Sequence, residues 1–150
     1  MSTNKIREIR EIQLSYKRTG LDYGKVTSSQ KAVEVFRNWF TDEMVDFYEE
    51  FYIMILDRAN NVLGVKKISS GGLDACLVDV RIVFCTALLA KGSAIILAHN
   101  HPTGALKASQ PDLKITERLK KGGQILDISI LDHVIITSDS YMSFADEGLL

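Results

Sequence analysis

Apolar and polar residues change periodicity several times along the chain, and each change marks an element. Ile12, Leu14 and Tyr16 alternate with polar neighbours, which predicts a half-exposed strand. Gly20 and Gly24 predict a loop after it. From Thr27 the spacing turns helical: Ser28 and Ser29 offer capping hydroxyls ahead of Ala32, Val33, Phe36, Trp39 and Phe40. Phe51 to Leu56 is a solid apolar run, Asp57 to Asn61 holds turn residues, and extended character resumes from Val62 to Ser69, so a β-hairpin is expected. After Gly71 and Gly72, the residues Val80, Val83, Phe84, Ala87 and Leu88 recur at helical spacing up to a stop at Gly92. Ser93 to Ala98 reads as a buried strand. His99 to Ala108 is a polar loop with Pro102 and Gly104, and the helix beginning near Ser109 is expected to stop at Gly122 and Gly123. Short strands near Val134 to Thr137 and Tyr141 to Phe144 complete the pattern. Helices and strands are interleaved without a Gly-rich nucleotide fingerprint, which predicts a mixed α/β (α+β) layer fold: a central mixed sheet flanked by helices.

Composition narrows the class. With 46% hydrophobic and 25% charged residues in 150, the chain suits one domain with a real core and excludes disordered and collagen-like classes. The apolar runs are far shorter than the ~20 residues of a membrane-spanning helix. Residues 1–10 alternate charge with single apolar residues and lack the apolar stretch of a secretory signal, so a cytoplasmic location is expected. The net charge of -1 gives no electrostatic support for nucleic-acid binding. That charge is uneven: residues 1–31 carry seven lysines and arginines against three acids, so residues 1–27 are read as a basic arm ahead of a domain over 28–150. Cys76 and Cys85 lack C-x-x-C spacing and are expected to be buried thiols. Nothing in the pattern specifies an oligomeric state.

The chemistry concentrates in Leu97-Ala-His-Asn-His-Pro-Thr-Gly104, where two imidazoles follow a buried strand at i and i+2. Continued extension would point His99 and His101 to the same side, with Asn100 turned away to stabilise the loop. Imidazole is a common Zn²⁺ ligand, and a catalytic zinc site wants three protein ligands and an open position. Asp112 is the candidate third ligand, because the Pro-Thr-Gly turn lets the chain double back. A competing reading makes Ser109 the N-cap of the next helix, with Pro111 in the first turn and Asp112 favourable to its dipole.

His99-Asn-His-Pro-Thr-Gly104 followed by Ser109-x-x-Asp112 resembles the H-x-H-P-x-G-x(4)-S-x-x-D signature of JAB/MPN (JAMM) metalloproteases. The His99-Asn-His-Pro, Leu131-Asp-His133, Asp79-Val-Arg81 and Tyr141-Met-Ser-Phe-Ala-Asp-Glu-Gly148 segments are similar to the RadC-like branch, over roughly residues 28 to 150. The resemblance implies a cytidine-deaminase-like α/β fold and one zinc ion held by His99, His101 and Asp112. It implies that Ser109 donates a hydrogen bond to the tetrahedral intermediate. It also implies an upstream glutamate as base toward the metal-activated water; Glu49-Glu-Phe-Tyr-Ile-Met-Ile-Leu-Asp57 supplies Glu49, with Glu50 as its rival. Thr103 stands where the family commonly has Ser. RadC-like proteins often carry an N-terminal helix-hairpin-helix module, for which the residues before Thr27 are too few, and an isolated catalytic-type domain is expected.

The expected function is therefore zinc-dependent hydrolysis of an amide or isopeptide bond in a peptide or protein substrate. The alternative is a non-catalytic or DNA-associated binding module, of the DNA-repair accessory kind, that retains the metal-site fold. The lack of H-x-E and P-C-x-x-C argues against a nucleobase deaminase. Asp132 and His133 are expected to be a structural pair at most supporting the ligands.

Overall fold

The apolar run ahead of Asp57 forms β1 (Glu50–Leu56), buried along its whole length. The computed structural model describes residues 11–13, 15, 17, 20–71 and 77–150. Within them the chain continues from α1 (Ser29–Phe36) and α2 (Asp42–Val45) through β1, β2 (Val62–Ser70), α3 (Val80–Leu89), β3 (Ala94–Asn100), α4 (Gln110–Leu126), β4 (Ser129–Ile136) and β5 (Tyr141–Ser143). The strands form one sheet in the order β2-β1-β3-β4-β5. β3 and β4 are parallel, joined by α4, and the other neighbours are antiparallel. The mixed α/β fold expected from the patterning is the one observed.

Period-two alternation sorts the core onto two faces. Tyr52, Met54, Leu56, Ile96, Ala98 and Val134 pack under α1, against Ala32, Val33 and Phe36. Phe51, Ile53, Ile55, Ile95 and Leu97 pack on the other face against Val83, Phe84, Ala87 and Leu119 of α3 and α4. A fully buried Ile or Leu contributes about 1.5–3 kcal/mol relative to exposure. Both faces of β1 and β3 are covered, so their sequences read as unbroken apolar runs. The predicted turn between β1 and β2 is held by Asp57, whose Oδ1 accepts from the backbone of Ala59 (2.8 Å) and Asn61 (2.9 Å).

Several expectations need correction. Ile12, Gln13 and Ser15 belong to no strand and Ile12 is exposed; Leu14 and Tyr16 lie outside the described residues. The first helix ends at Phe36, because the Asn38 side chain donates to the carbonyls of Glu34 (2.9 Å) and Val35 (3.3 Å). Phe40 is nonetheless buried, in a turn that packs its ring edge-on against Tyr52. α4 runs through Gly122 and Gly123 instead of stopping there. These glycines mark close contacts: a Cβ on Gly122 would overlap the Phe84 ring, and one on Gly123 the Ile128 carbonyl. The helix ends at Asp127, which takes up the left-handed conformation (φ 54°). β4 starts at Ser129, earlier than Val134, since pairing with β3 recruits its polar first half and places Asp132 and His133 inside the strand. Finally, Cys85 is exposed, one position off the buried stripe of Val83, Phe84 and Ala87. Cys76 lies outside the described residues.

Candidate metal centre

β3 extends two residues beyond the predicted Ala98 and so carries the first histidine into the sheet. Strand alternation sends His99 to the α4 face, where it pairs in register with Phe51 and stacks on its ring at 6.0 Å between centroids. His101 leaves the strand with its N–H donated to the Ile136 carbonyl (3.1 Å). The chain then turns back: Gly104 (φ +78°) donates to the His101 carbonyl at 2.9 Å. His101 Nδ1 lies 2.7 Å from the Ala105 carbonyl, which only accepts, so this nitrogen carries hydrogen and Nε2 is the nitrogen turned toward Asp112.

The same turn delivers the start of α4. Ser109 Oγ accepts from the Asp112 N–H (3.2 Å) and Asp112 Oδ2 accepts from the Ser109 N–H (2.7 Å), a reciprocal capping box. Capping and convergence with the histidines coexist, because Oδ1 is left to face His99 while the capping oxygen, Oδ2, is shared with His101. Asp112 Oδ1 is 3.2 Å from His99 Nε2, Asp112 Oδ2 is 3.5 Å from His101 Nε2, and the two Nε2 atoms are 2.9 Å apart. Glu49, in the residue just before β1, brings Oε1 to 4.0 Å from His99 Nε2. One ligand atom from each of Glu49, His99, His101 and Asp112 lies within 4.8 Å of all the others. Two imidazoles and two carboxylates at this spacing form a donor set that suits Zn²⁺.

Burial and mutual charge shape the group. Burial disfavours the Asp112 carboxylate, but the imidazoles of His101 and His99 beside it prevail and hold it well below the usual range. The hydrogen bond to Asp112 raises His101 above its ordinary value. Glu49 is raised by burial, against the opposing pull of His99. A carboxylate with weakened preference for ionisation is suited to accept and return a proton.

The neighbouring acids part company. Glu50 sits on the opposite face of the sheet, ion-paired to Lys67 at 2.6 Å with Tyr52 Oη 3.3 Å away. Asp132 is also remote from the group: it accepts from Ser143 Oγ (2.7 Å) and from the N–H groups of His133 (2.7 Å) and Ala145 (3.0 Å). His133 touches the group at His99, Nε2 to Nδ1 at 2.7 Å. Its own Nδ1 meets Thr116 Oγ1 at 2.7 Å. Asn100 points away from the site, as expected, and binds the segment leading to Glu49: Nδ2 donates to the carbonyls of Val45 (2.7 Å) and Tyr48 (2.6 Å), while Oδ1 accepts from Glu50 N–H (2.7 Å). The sequence reading passed over Thr116; its one available signal is helical i+4 spacing from Asp112.

A cleft of about 690 Å³ opens onto the group, with Glu49, His101, Ser109 and Asp112 on its wall beside Ile115 and Arg118. The Ser109 hydroxyl donates to no acceptor among the described residues. Another cleft, about 730 Å³, lies by Tyr23, Trp39 and Val65, and no metal-ligating cluster lines it among the described residues. No helix among these residues is long and apolar enough to cross a membrane.

Comparison with known proteins gives a match to the RadC-like JAB domain family over residues 26–149. A UPF0758 protein of Flavobacterium johnsoniae is 42% identical over 125 residues, covering 83% of this chain and 53% of that one. One from Pelobacter propionicus is 40% identical over 114 residues (75% and 50%), and one from Methanosarcina acetivorans 42% over 102 (68% and 44%). The chain spans about half the length of the curated relatives it matches.

Proposed function

The chain belongs to the RadC-like JAB domain family, and from that premise we propose that it is a zinc-dependent hydrolase cleaving an amide or isopeptide bond in a peptide or protein. The observation that carries this reading is the convergence of Glu49, His99, His101 and Asp112 at the wall of an open cleft. His99, His101 and Asp112 would hold the zinc ion. When bound, zinc supplies Lewis acidity and lowers the pKa of water toward ~7.

The remaining chemistry falls to the chain's own side chains. Glu49 Oε1 takes the proton from the attacking water and returns it to the leaving amine, a role its raised pKa favours. Ser109 faces the cleft with a hydroxyl hydrogen to spare and donates it to the oxygen that gains charge at the scissile carbonyl. Asp112 keeps Ser109 in place through the capping box. Glu50, committed to Lys67 on the other face, takes no part.

Elemental analysis of the purified protein tests the assignment. Stoichiometric zinc is expected in the parent and its loss in folded His99→Ala and Asp112→Ala variants. Glu49→Gln is expected to keep zinc and lose at least about 10²-fold in cleavage of peptide and isopeptide-linked substrates. A folded parent that takes up no zinc after supplementation overturns the ligand assignment. Turnover indifferent to Glu49→Gln overturns its role as base.

A further inference from the structure

We propose that Thr116 and His133 form a buried relay that fixes the His99 ring with its hydrogen on Nδ1, so that Nε2 is the nitrogen turned to the Glu49, His101 and Asp112 group. Its consequence for metal affinity rests on the reading of that group as a zinc centre; the assignment of the hydrogen does not.

The argument begins on α4. Thr116 lies one turn after Asp112, and its Oγ1 is 2.7 Å from the Asp112 carbonyl, which only accepts. The single hydroxyl hydrogen is therefore spent there, and toward His133 Nδ1, at 2.7 Å, the threonine oxygen must accept. His133 thus carries hydrogen on Nδ1. The ring is fully buried, packed between Phe51 (5.5 Å between centroids) and Phe144 (4.5 Å), with no carboxylate on either nitrogen. A charged imidazole in such surroundings would be uncompensated, so the ring is neutral and its Nε2 is bare. That nitrogen is 2.7 Å from His99 Nδ1 and accepts the hydrogen from it. With Nδ1 committed to His133, Nε2 is the nitrogen that His99 turns to the group, 3.2 Å from Asp112 and 2.9 Å from His101 Nε2.

Two imidazoles thereby turn the same nitrogen, Nε2, to one point through different devices. A backbone carbonyl sets His101, and a buried side-chain relay sets His99. Because the Thr116 bond goes to the carbonyl of Asp112 itself, the relay also ties the helix end that bears one ligand to the strand that bears another. Thr116 and His133 are positioning residues; neither faces the cleft.

Nitrogen-15 imidazole spectra of the metal-free protein at pH 8 read the tautomers directly. The chain has three histidines, so each ring pattern can be assigned from single His variants. His99 and His133 are expected to show hydrogen on Nδ1. Thr116→Val, which keeps the shape and removes the hydroxyl, is expected to shift His133 and in turn His99 toward hydrogen on Nε2. Zinc affinity, measured by competition with a chromogenic chelator, should then fall about 10–100-fold, and Thr116→Ser should restore both readouts. A parent spectrum with the His99 hydrogen on Nε2 overturns the proposal. So does a folded Thr116→Val protein with an unchanged His99 pattern. Should the parent bind no zinc, the zinc reading fails while the spectra still decide the relay.

Discussion

Asn100 spends its whole side-chain amide on one short segment, Val45 to Glu50, which includes Glu49, the glutamate facing the histidines. Replacing it by Ala leaves one N–H and two carbonyls of a buried strand entrance without their partner. The expected cost is about 2–4 kcal/mol in urea unfolding, since each unpaired buried group carries a desolvation penalty of about 1–3 kcal/mol. Zinc content should persist, because the ligands come from other segments, whereas turnover should fall with the misplacement of Glu49. An Asn100→Ala protein as stable and active as the parent would show that the segment is held otherwise. At this scale the sequence shows the types and spacing of His99, His101 and Asp112 well. It leaves Glu49 and Glu50 alternatives, because two adjacent acids at a strand entrance differ only in the face they take. It hides Thr116 and His133 as partners, because their contact joins a helix to a strand that becomes adjacent only after the sheet has formed.

Gly123 shows how an element's boundary depends on what lies outside it. As the second of two glycines after a polar helical stretch it reads as a stop signal, yet α4 continues past it because the Ile128 carbonyl occupies the space a side chain would need. Gly123→Ala is expected to lose about 2 kcal/mol or more, since the obstructing atom is backbone and yields only if the turn into β4 moves. Gly64→Ala in β2 is the internal control: nothing lies within 4 Å of the added carbon, and its stability should stay within about 1 kcal/mol of the parent. Denaturant midpoints of the two variants side by side decide this, and equal losses would refute the close-approach account. The same reasoning explains the pattern of successes among the elements. β1, β3 and α3 are legible because burial alone writes their sequences. The beginning of β4 is not, for Ser129 to Asp132 owe their extension to pairing with β3. The end of α1 is set by a side chain, Asn38, that a hydrophobic periodicity cannot register.

Across the whole molecule, the four donors come from three separate elements: the entrance to β1, distant in sequence, and the exit of β3 and first turn of α4, which one loop connects. Only the folded chain brings them together, so zinc should bind the native state far better than the unfolded one and stabilise it by mass action. Free zinc at about 100 times its Kd adds roughly 2.7 kcal/mol, which for a chain of this size raises Tm by roughly 5–10 °C. His101→Ala should abolish that rise. Its pH dependence has a definite sign. The bond to Asp112 raises His101 above its ordinary value, so in the metal-free protein this pair stabilises the fold fully below the unfolded histidine pKa of about 6.5, and the contribution is lost as pH rises through the folded value. Zinc needs the same nitrogen without its proton and is favoured in the opposite direction. The difference in Tm between zinc-loaded and metal-free protein should therefore widen from pH 6 upward until His101 is deprotonated without metal, then level off. A difference that is flat over that range, or that narrows, would mean that zinc stabilises the chain from some place other than this one.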